Sequence, residues 1–319
     1  MPLTTIQTVA VIGAGQMGPG IAQTSAQAGY TTVLIARSQS GLDKGRAKII
    51  ANLQAMSRYD LVRADEFATI LGRITFRNDG LAGVANADLV VEAAVEELPL
   101  KQQLFVDIEA IVREDTILAS TTSGLRAADI GALTAHPERV VVAHYWNPPH
   151  LLPLVEVAPS EHTAPWVIEV ISAFLKSTGH SPALVHKDAL GFIANRLQHA
   201  LWREALAIVQ QGIASPGDVD EALKTSFGAR TPVLGIFEHM DLVGLDLVQN
   251  IHSYLLADLD TLPGPNPELS ARVARGDLGV KTGRGFYDWS TKSAADVLRA
   301  RDNELMERAA KRKQKSSPR

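Results

Sequence analysis

Two stretches of this chain hold residue types from which redox chemistry at a hydroxyl-bearing carbon is assembled. Nine histidines compete for the role of general base, and position separates them. His144 follows the apolar run Val140–Ala143, where the strands of an open α/β sheet deliver ligand-binding loops. Twelve residues on, Glu156 interrupts the strand-like run Leu154–Val157. A carboxylate inside such a run is unfavourable unless paired, and His144 is the obvious partner if the two segments lie side by side. A carboxylate on one imidazole nitrogen fixes tautomer and orientation, leaving the other to take a hydroxyl proton as hydride departs. Taken alone, the pair is balanced by a plainer possibility, a loop histidine and an edge-strand glutamate with no relation. His150 is the other histidine close to this stretch, and it could contact substrate. Ser123, after another apolar strand, and Asn195, near the start of a long helix, could hold the substrate oxygen. By spacing alone they read as a turn serine and a helix-end asparagine.

The second stretch is Gly13-Ala14-Gly15-Gln16-Met17-Gly18, directly after the apolar run Thr8–Ile12 and opening a helix. Each glycine has a physical role: Gly13 makes the tight turn, Gly15 lets backbone approach a pyrophosphate, and Gly18 lets helix pack on strand. The free amides and partial positive charge of the helix N-terminus then face the phosphates. A glycine pattern of this kind is weak evidence alone. Here strand, helix and a second strand, Thr31–Ala36, stand in the required order. Enzymes using NAD place Asp or Glu at the end of that second strand to bind the ribose 2′-hydroxyl. This chain has Ala36, followed by Arg37 and Ser38, which suits a 2′-phosphate. NADP is therefore the expected cofactor, with NAD the alternative.

The elements that must position these residues follow an α/β alternation as far as Val185. Beyond His186 the texture is helical only, including a helix opened by Ser215-Pro216. The reading is a Rossmann-like dinucleotide-binding domain over 1–187 followed by an all-α domain over 188–319. Two helix-like stretches between 43 and 72 exceed what a simple crossover needs.

Composition limits the remaining classes. A net charge of −4 gives no basic excess for nucleic acid or an anionic membrane. The absence of cysteine removes disulfides, thiolate nucleophiles and cysteine-ligated zinc, and no metal site is expected. No apolar run approaches membrane-spanning length, and the start carries no positive leader-like segment, so a cytoplasmic location is expected. The basic stretch Lys311–Lys315 reads as a frayed, solvated tail.

Together, Gly13–Gly18, Ser120-Thr-Thr-Ser123, His144-Tyr-Trp-Asn-Pro148, Leu154–Val157, Gly191-Phe-Ile-Ala-Asn195-Arg196 and Lys281-Thr-Gly-Arg-Gly-Phe286 resemble the 3-hydroxyacyl-CoA dehydrogenase family. The motifs occur in family order from residue 8 to about 289. The resemblance implies a second domain that pairs subunits into a homodimer, and hydride transfer between the hydroxyl-bearing carbon of a small substrate and nicotinamide. It also implies His144 as base, Glu156 as its orienting carboxylate, and Ser123 and Asn195 on the substrate oxygen. Gln16 and Met17 in the glycine loop, and Glu96, Lys101 and Lys281, match cofactor-contacting positions. Ala36 departs from the aspartate of NAD-using relatives, Gly124 from a second serine, and Pro149 and Pro153 from the usual acyl-CoA pattern. These forms look more like relatives acting on free hydroxy acids, such as carnitine dehydrogenase and the gulonate dehydrogenase called lambda-crystallin. His144–His150 also resembles the pyridine-aldehyde dehydrogenase of vitamin B6 breakdown. The helices near 43–72, which hold CoA in relatives, carry Arg46, Lys48, Arg58 and Arg63 but no lysine cluster. Substrates left open are thus a 3-hydroxyacyl-CoA, a free 3-hydroxy acid, or an aldehyde or imine. A non-catalytic, crystallin-like dinucleotide-binding protein is the rival of a different class.

Overall fold

The structure, a computed structural model, describes residues 5–316; the first four residues, where a leader was sought, and the last three lie outside it. The apolar runs form one eight-stranded sheet in the order β3-β2-β1-β4-β5-β6-β7-β8. Its strands are β1 (Thr8–Ile12), β2 (Thr31–Ile35), β3 (Ile74–Arg77), β4 (Leu89–Glu92), β5 (Ile117–Ser120), β6 (Val140–Tyr145), β7 (Leu154–Pro159) and β8 (Ser181–Leu184). Neighbours are parallel except β6 and β7, which run antiparallel. β4, β5 and β6 are buried along their whole length, as expected when helices cover both faces of a sheet. Alternation divides the core cleanly. Val9 and Val11 of β1 face one apolar cluster with Ile21, Leu34 and Phe174, while Ala10 and Ile12 face another with Val90, Phe105 and Leu118.

The flanking helices are α1 (Gly18–Gln27), α2 (Gln39–Ser57), α3 (Phe67–Gly72), α4 (Leu98–Glu109), the short α5 (Ala127–Ile130) and α6 (Pro165–Ser177). α2 starts where the Ser38 side chain accepts the Gly41 N–H. Leu42, Gly45, Ile49, Leu53 and Met56 recur at helical spacing and are its buried face.

The chain divides into two compact units, one running to Ile193 and resumed from Arg299, the other Ala194–Leu298. The change of texture near 187 precedes this division because Phe192 stays buried in the second apolar cluster of the first unit. The second unit holds α7 (Ala194–Gln210), α8 (Pro216–Thr225), α9 (Phe227–Arg230), α10 (Ile236–Val243), α11 (Leu245–Leu255), α12 (Pro267–Ala274) and the start of α13 (Ala294–Ser316). Ser215 and Asp218 cap α8 reciprocally, with Pro216 in its first turn. α10 and α11 break at Gly244, whose φ of 97° ends the first helix.

The basic stretch read as a frayed, solvated tail is helical, with residues 311–314 exposed but two of their side chains bonded to the first unit. Met306 of α13 is buried in the first cluster. Arg312 donates to the Leu151 carbonyl at 3.1 Å, and Lys313 to the Asp60 carbonyl at 2.8 Å. Charge correctly signals exposed side chains but not the helix, which the buried Met306 and part-buried Leu305 seat on the core. No helix among the described residues is long and apolar enough to cross a membrane.

Candidate active site

Strand order reverses around β1, with β2 on one side and β4 on the other, and a crevice opens at the carboxyl ends of these strands. The glycine loop lies there, and its geometry separates the three glycines. Gly13 has φ of 112°, and a Cβ on it would stand 2.4 Å from the Ala93 carbonyl oxygen. A Cβ on Gly18 would stand 1.7 Å from the Gly13 carbonyl oxygen, so α1 packs as closely as backbone allows. Nothing lies within 4 Å of a Cβ on Gly15. That is the open space a pyrophosphate needs beside the α1 N-terminus.

The crevice measures about 1180 Å³ and is lined by Gly13, Gly15, Gln16, Met17, Arg37, Ser38, Glu96, Lys101 and Ser123 among others. This exceeds the ~300–1,000 Å³ of an ordinary small-ligand site and suits an elongated, two-nucleotide ligand. Its adenosine end has Ala36, Arg37 and Ser38. The nearby carboxylates are engaged: Asp79 with Arg77, and Asp43 with Gln39.

Beneath the crevice lies a buried ionic network that the sequence reading left out. Glu92, the last residue of β4, is fully buried. It receives Lys101 Nζ on both carboxylate oxygens at 2.8 Å and the Ser120 hydroxyl at 2.5 Å. Lys101 also pairs with Glu96 at 3.3 Å. Glu96 in turn accepts the Thr122 hydroxyl and, at 3.1 Å, the Ser123 N–H. Thus Lys101 borders the crevice while its ammonium is committed to two carboxylates. The loops after β4 and β5 are tied together through it. Glu92 was findable: like Glu156, it is a carboxylate at the end of an apolar strand, which must be paired to be buried.

His144 and Glu156 come together. β6 continues through Tyr145, so His144 lies inside the strand rather than past it, because β7 extends the pairing. In the antiparallel register His144 is directly opposite Glu156, and Nδ1 stands 2.8 Å from Oε2. Glu156 is fully buried, and further donors to it include the Trp146 indole N–H at 3.1 Å and the Ile193 backbone N–H at 2.8 Å. With Nδ1–H donating to Glu156, the neutral ring presents the Nε2 lone pair. The imidazole is wedged between Trp146 and Phe192, each with ring centroid 5.5 Å away. Phe192 has φ of 50°, a left-handed conformation costing about 1–3 kcal/mol in a non-glycine residue. That turn aims the Ile193 N–H at Glu156, and nothing in side-chain spacing signals it.

The remaining residues fall in the second unit. Asn195 is in the first turn of α7. Lys281 lines a separate cavity of about 530 Å³ with Arg272, Phe286 and Trp289. Tyr287, bonded to Asp220 at 2.6 Å, is pushed up to about 12 by that carboxylate. Among the described residues no group of three His, Cys, Asp or Glu side chains could hold a metal ion.

Comparison with known proteins agrees with this architecture. Residues 8–189 match the family described as 3-hydroxyacyl-CoA dehydrogenase, NAD binding domain, and residues 191–289 its C-terminal domain. The 5-formyl-3-hydroxy-2-methylpyridine 4-carboxylate 5-dehydrogenase of Mesorhizobium japonicum is 31% identical over 301 residues, 94% of this chain and 96% of the relative. The mitochondrial hydroxyacyl-coenzyme A dehydrogenase of Rattus norvegicus is 37% identical over 291 residues, 89% and 91% of the two chains. A crystal structure of a 5-formyl-3-hydroxy-2-methylpyridine 4-carboxylic acid 5-dehydrogenase, described as an NAD+-dependent dismutase, superposes with a TM-score of 0.90 at 30% identity, covering 98% of this chain and all of that one. This chain therefore belongs to the 3-hydroxyacyl-CoA dehydrogenase family, and is an oxidoreductase with a Rossmann-like, dinucleotide-binding first domain and a helical second domain.

Proposed function

We propose that this protein transfers hydride between the C3 carbon of a 3-hydroxy acid, or its CoA thioester, and a bound nicotinamide dinucleotide. The supporting observation is the His144–Glu156 pair, buried in register on β6 and β7 with Nε2 free of any partner among the described residues, next to Tyr145, whose N–H reaches the Thr121 hydroxyl of the crevice wall. The dinucleotide, when bound, accepts the hydride from the carbinol carbon or returns it. His144 Nε2 takes the hydroxyl proton as the carbonyl forms, and gives it back in the reverse direction. Glu156 stabilises the imidazolium that results and keeps the ring from rotating. Ser123 and Asn195 are assigned to the substrate oxygen, and Lys281 to the cofactor, on the family motifs.

The cofactor reading is NADP, with NAD as the alternative. Arg37 and the amides opening α2 supply donors for a 2′-phosphate, and the crevice wall at Ala36, Arg37, Ser38, Gly41 and Asn78 carries no carboxylate to take a 2′-hydroxyl. The helical unit is read as the surface that pairs two copies, since Trp202, Phe237, Leu242 and Tyr254 are exposed on it.

A second reading keeps the scaffold and changes the substrate to an aldehyde, in line with the Mesorhizobium relative, whose name specifies a formyl pyridine. Steady-state assays with 3-hydroxybutyrate, 3-hydroxybutyryl-CoA and pyridine aldehydes, each with NAD+ and NADP+, separate the readings. Turnover of aldehydes alone replaces the first reading with the second. No turnover of any class favours the non-catalytic alternative.

A further inference from the structure

Resting on the dehydrogenase reading above, we infer that Trp146 is a positioning residue for the His144–Glu156 pair. Its indole N–H takes a share of the carboxylate oxygen that holds His144, so the imidazole releases its proton more readily than one held by an unshared carboxylate. Trp146 follows β6 directly, two positions after His144, and its side chain returns to the His144 side of the strand. One side chain thereby touches both members of the pair. Its ring lies 5.5 Å from the imidazole, centroid to centroid, tilted by 55°. Its Nε1–H donates to Glu156 Oε2 at 3.1 Å, the same oxygen that accepts His144 Nδ1–H at 2.8 Å. The Ile193 N–H meets the other oxygen, Oε1.

Hydrogen bonds into a carboxylate spread its negative charge and lower its affinity for a proton. The charge left facing Nδ1–H is smaller by that share, and so is the stabilisation of the imidazolium. Full burial of Glu156 makes each donor count for more than it would in water. The two rings flanking His144 show that packing alone does not call for an indole. Phe192 stands at the same 5.5 Å separation and has no N–H to offer. Oxidation of a hydroxyl needs His144 neutral, and reduction of a carbonyl needs it charged. By sharing Oε2, Trp146 moves the crossover between these states to lower pH.

Ionisable groups on the elements packed against this side of the sheet have partners of their own. Arg126 and Asp129 at α5 bind each other at 2.8 Å, and Asp188 accepts the Ala128 N–H at 3.4 Å. On α4, Lys101 is held by Glu92 and Glu96, Asp107 by Gln103, and Glu109 by Arg139. His186 and Lys187, in the chain leading to Phe192, are exposed. His150, farther along the connection from Trp146, is held by burial well below the ordinary histidine range, at about 4, and is uncharged at neutral pH. Glu156 is therefore the charge that His144 feels across the ladder, and Trp146 is the side chain that divides it.

The test removes the indole N–H in two ways. One is Trp146→Phe; the other places 3-benzothienylalanine at position 146, which keeps the bicyclic ring and puts sulfur where the N–H was. Trp166→Phe, packed against the first apolar cluster, is the control. The first readout needs no turnover. It is the midpoint of the His144 ring titration, followed by NMR on protein labelled at histidine Cε1 and assigned by the signal lost in His144→Gln. A rise of roughly half a pH unit is expected in both variants and none in the control, since two or three such bonds move a carboxylate by about two units and only part of one bond's share reaches the imidazole. The second readout is the acid limb of kcat/KM against pH for oxidation of 3-hydroxybutyryl-CoA, or of 3-hydroxybutyrate where the thioester is not turned over. It should move by the same amount. A ring midpoint that rises in a protein that turns nothing over keeps the role of Trp146 and removes the dehydrogenase reading. A midpoint that rises while the acid limb stays put keeps it too, and removes His144 as the base. An unchanged or lowered midpoint with the sulfur isostere overturns the inference. So does a rise confined to Trp146→Phe, which traces to lost ring packing. Where Trp146→Phe fails to fold, the isostere keeps the shape and decides alone.

Discussion

In the unit built on the sheet, apolar surface is closed on itself; in the helical unit it is left open. β4, β5 and β6 are buried from end to end, and apolar side chains on both sheet faces reach zero exposure. Among residues 194–298, only Ala207 and Asn266 are buried, while Val233, Phe237 and Leu242 are 89%, 80% and 74% exposed. A sheet covered on two faces satisfies its own hydrophobic surface, whereas a few amphipathic helices bury one stripe each and leave the rest for another surface. The crevice and the His144–Glu156 ladder both belong to the closed unit. On the proposed function the proton-transferring pair and the surface that pairs two copies fall in different units, although Asn195 and Lys281 of the helical unit are assigned to substrate and cofactor.

The largest expected effect is on chemistry alone. His144→Gln should lower kcat by about 10²–10⁴-fold while dinucleotide affinity by calorimetry and the sedimentation coefficient stay unchanged. A parallel loss of cofactor affinity would break the separation. Next, the glycine loop divides folding from binding within the closed unit. Gly18→Ala should destabilise by about 3 kcal/mol in thermal unfolding, because its Cβ meets backbone oxygen. Gly15→Ala should melt normally and lose roughly tenfold or more in dinucleotide affinity, because its Cβ enters only the ligand's space. In the open unit, Phe237→Asp should weaken self-association by about 2 kcal/mol in sedimentation equilibrium, with no change in NADPH affinity. A wild-type protein that sediments as a single chain would remove that reading.

The smallest effect is a slope. His150 is neutral when folded, so between pH about 4 and 6.5 the unfolded chain binds the additional proton. Stability should rise with pH across this window and be lost as pH falls through it, by at most ~1.4 kcal/mol per pH unit from this group. His150→Gln should flatten urea-derived stability between those limits, and an unchanged slope would show that another group dominates.

Much of the closed unit was legible because its signals are local. The glycine loop and the apolar strands each declare themselves within a few residues, as does the Ser215-Pro216 cap in the helical unit. Glu156 was legible through a cost, since a carboxylate in an apolar strand demands a partner, and β6 supplies His144 opposite it. Glu92 obeys the same rule at the end of β4 and could have been read the same way. Other features depend on distant chain. The left-handed turn at Phe192 has no signature in residue type, yet it delivers the Ile193 N–H to Glu156. The packing of α13 was hidden behind its charges, although Met306 and Leu305 lie on its packed side. The family membership rests on the matched domains and relatives rather than on any of these residues singly.

The antiparallel ladder between β6 and β7 has a consequence for how such an enzyme can change over time. His144 and Glu156 face each other because β6 is hydrogen-bonded to β5 on one edge and β7 to β8 on the other. A slip by one residue would turn each side chain to the opposite face, and those outer ladders resist it. The connection between them, residues 146–153, carries none of that constraint on its length. Changes beyond Trp146, which itself holds both His144 and Glu156, leave that register in place. On the proposed function, the acid–base pair is therefore inherited as a strand register, a trait that a change of loop length need not erase.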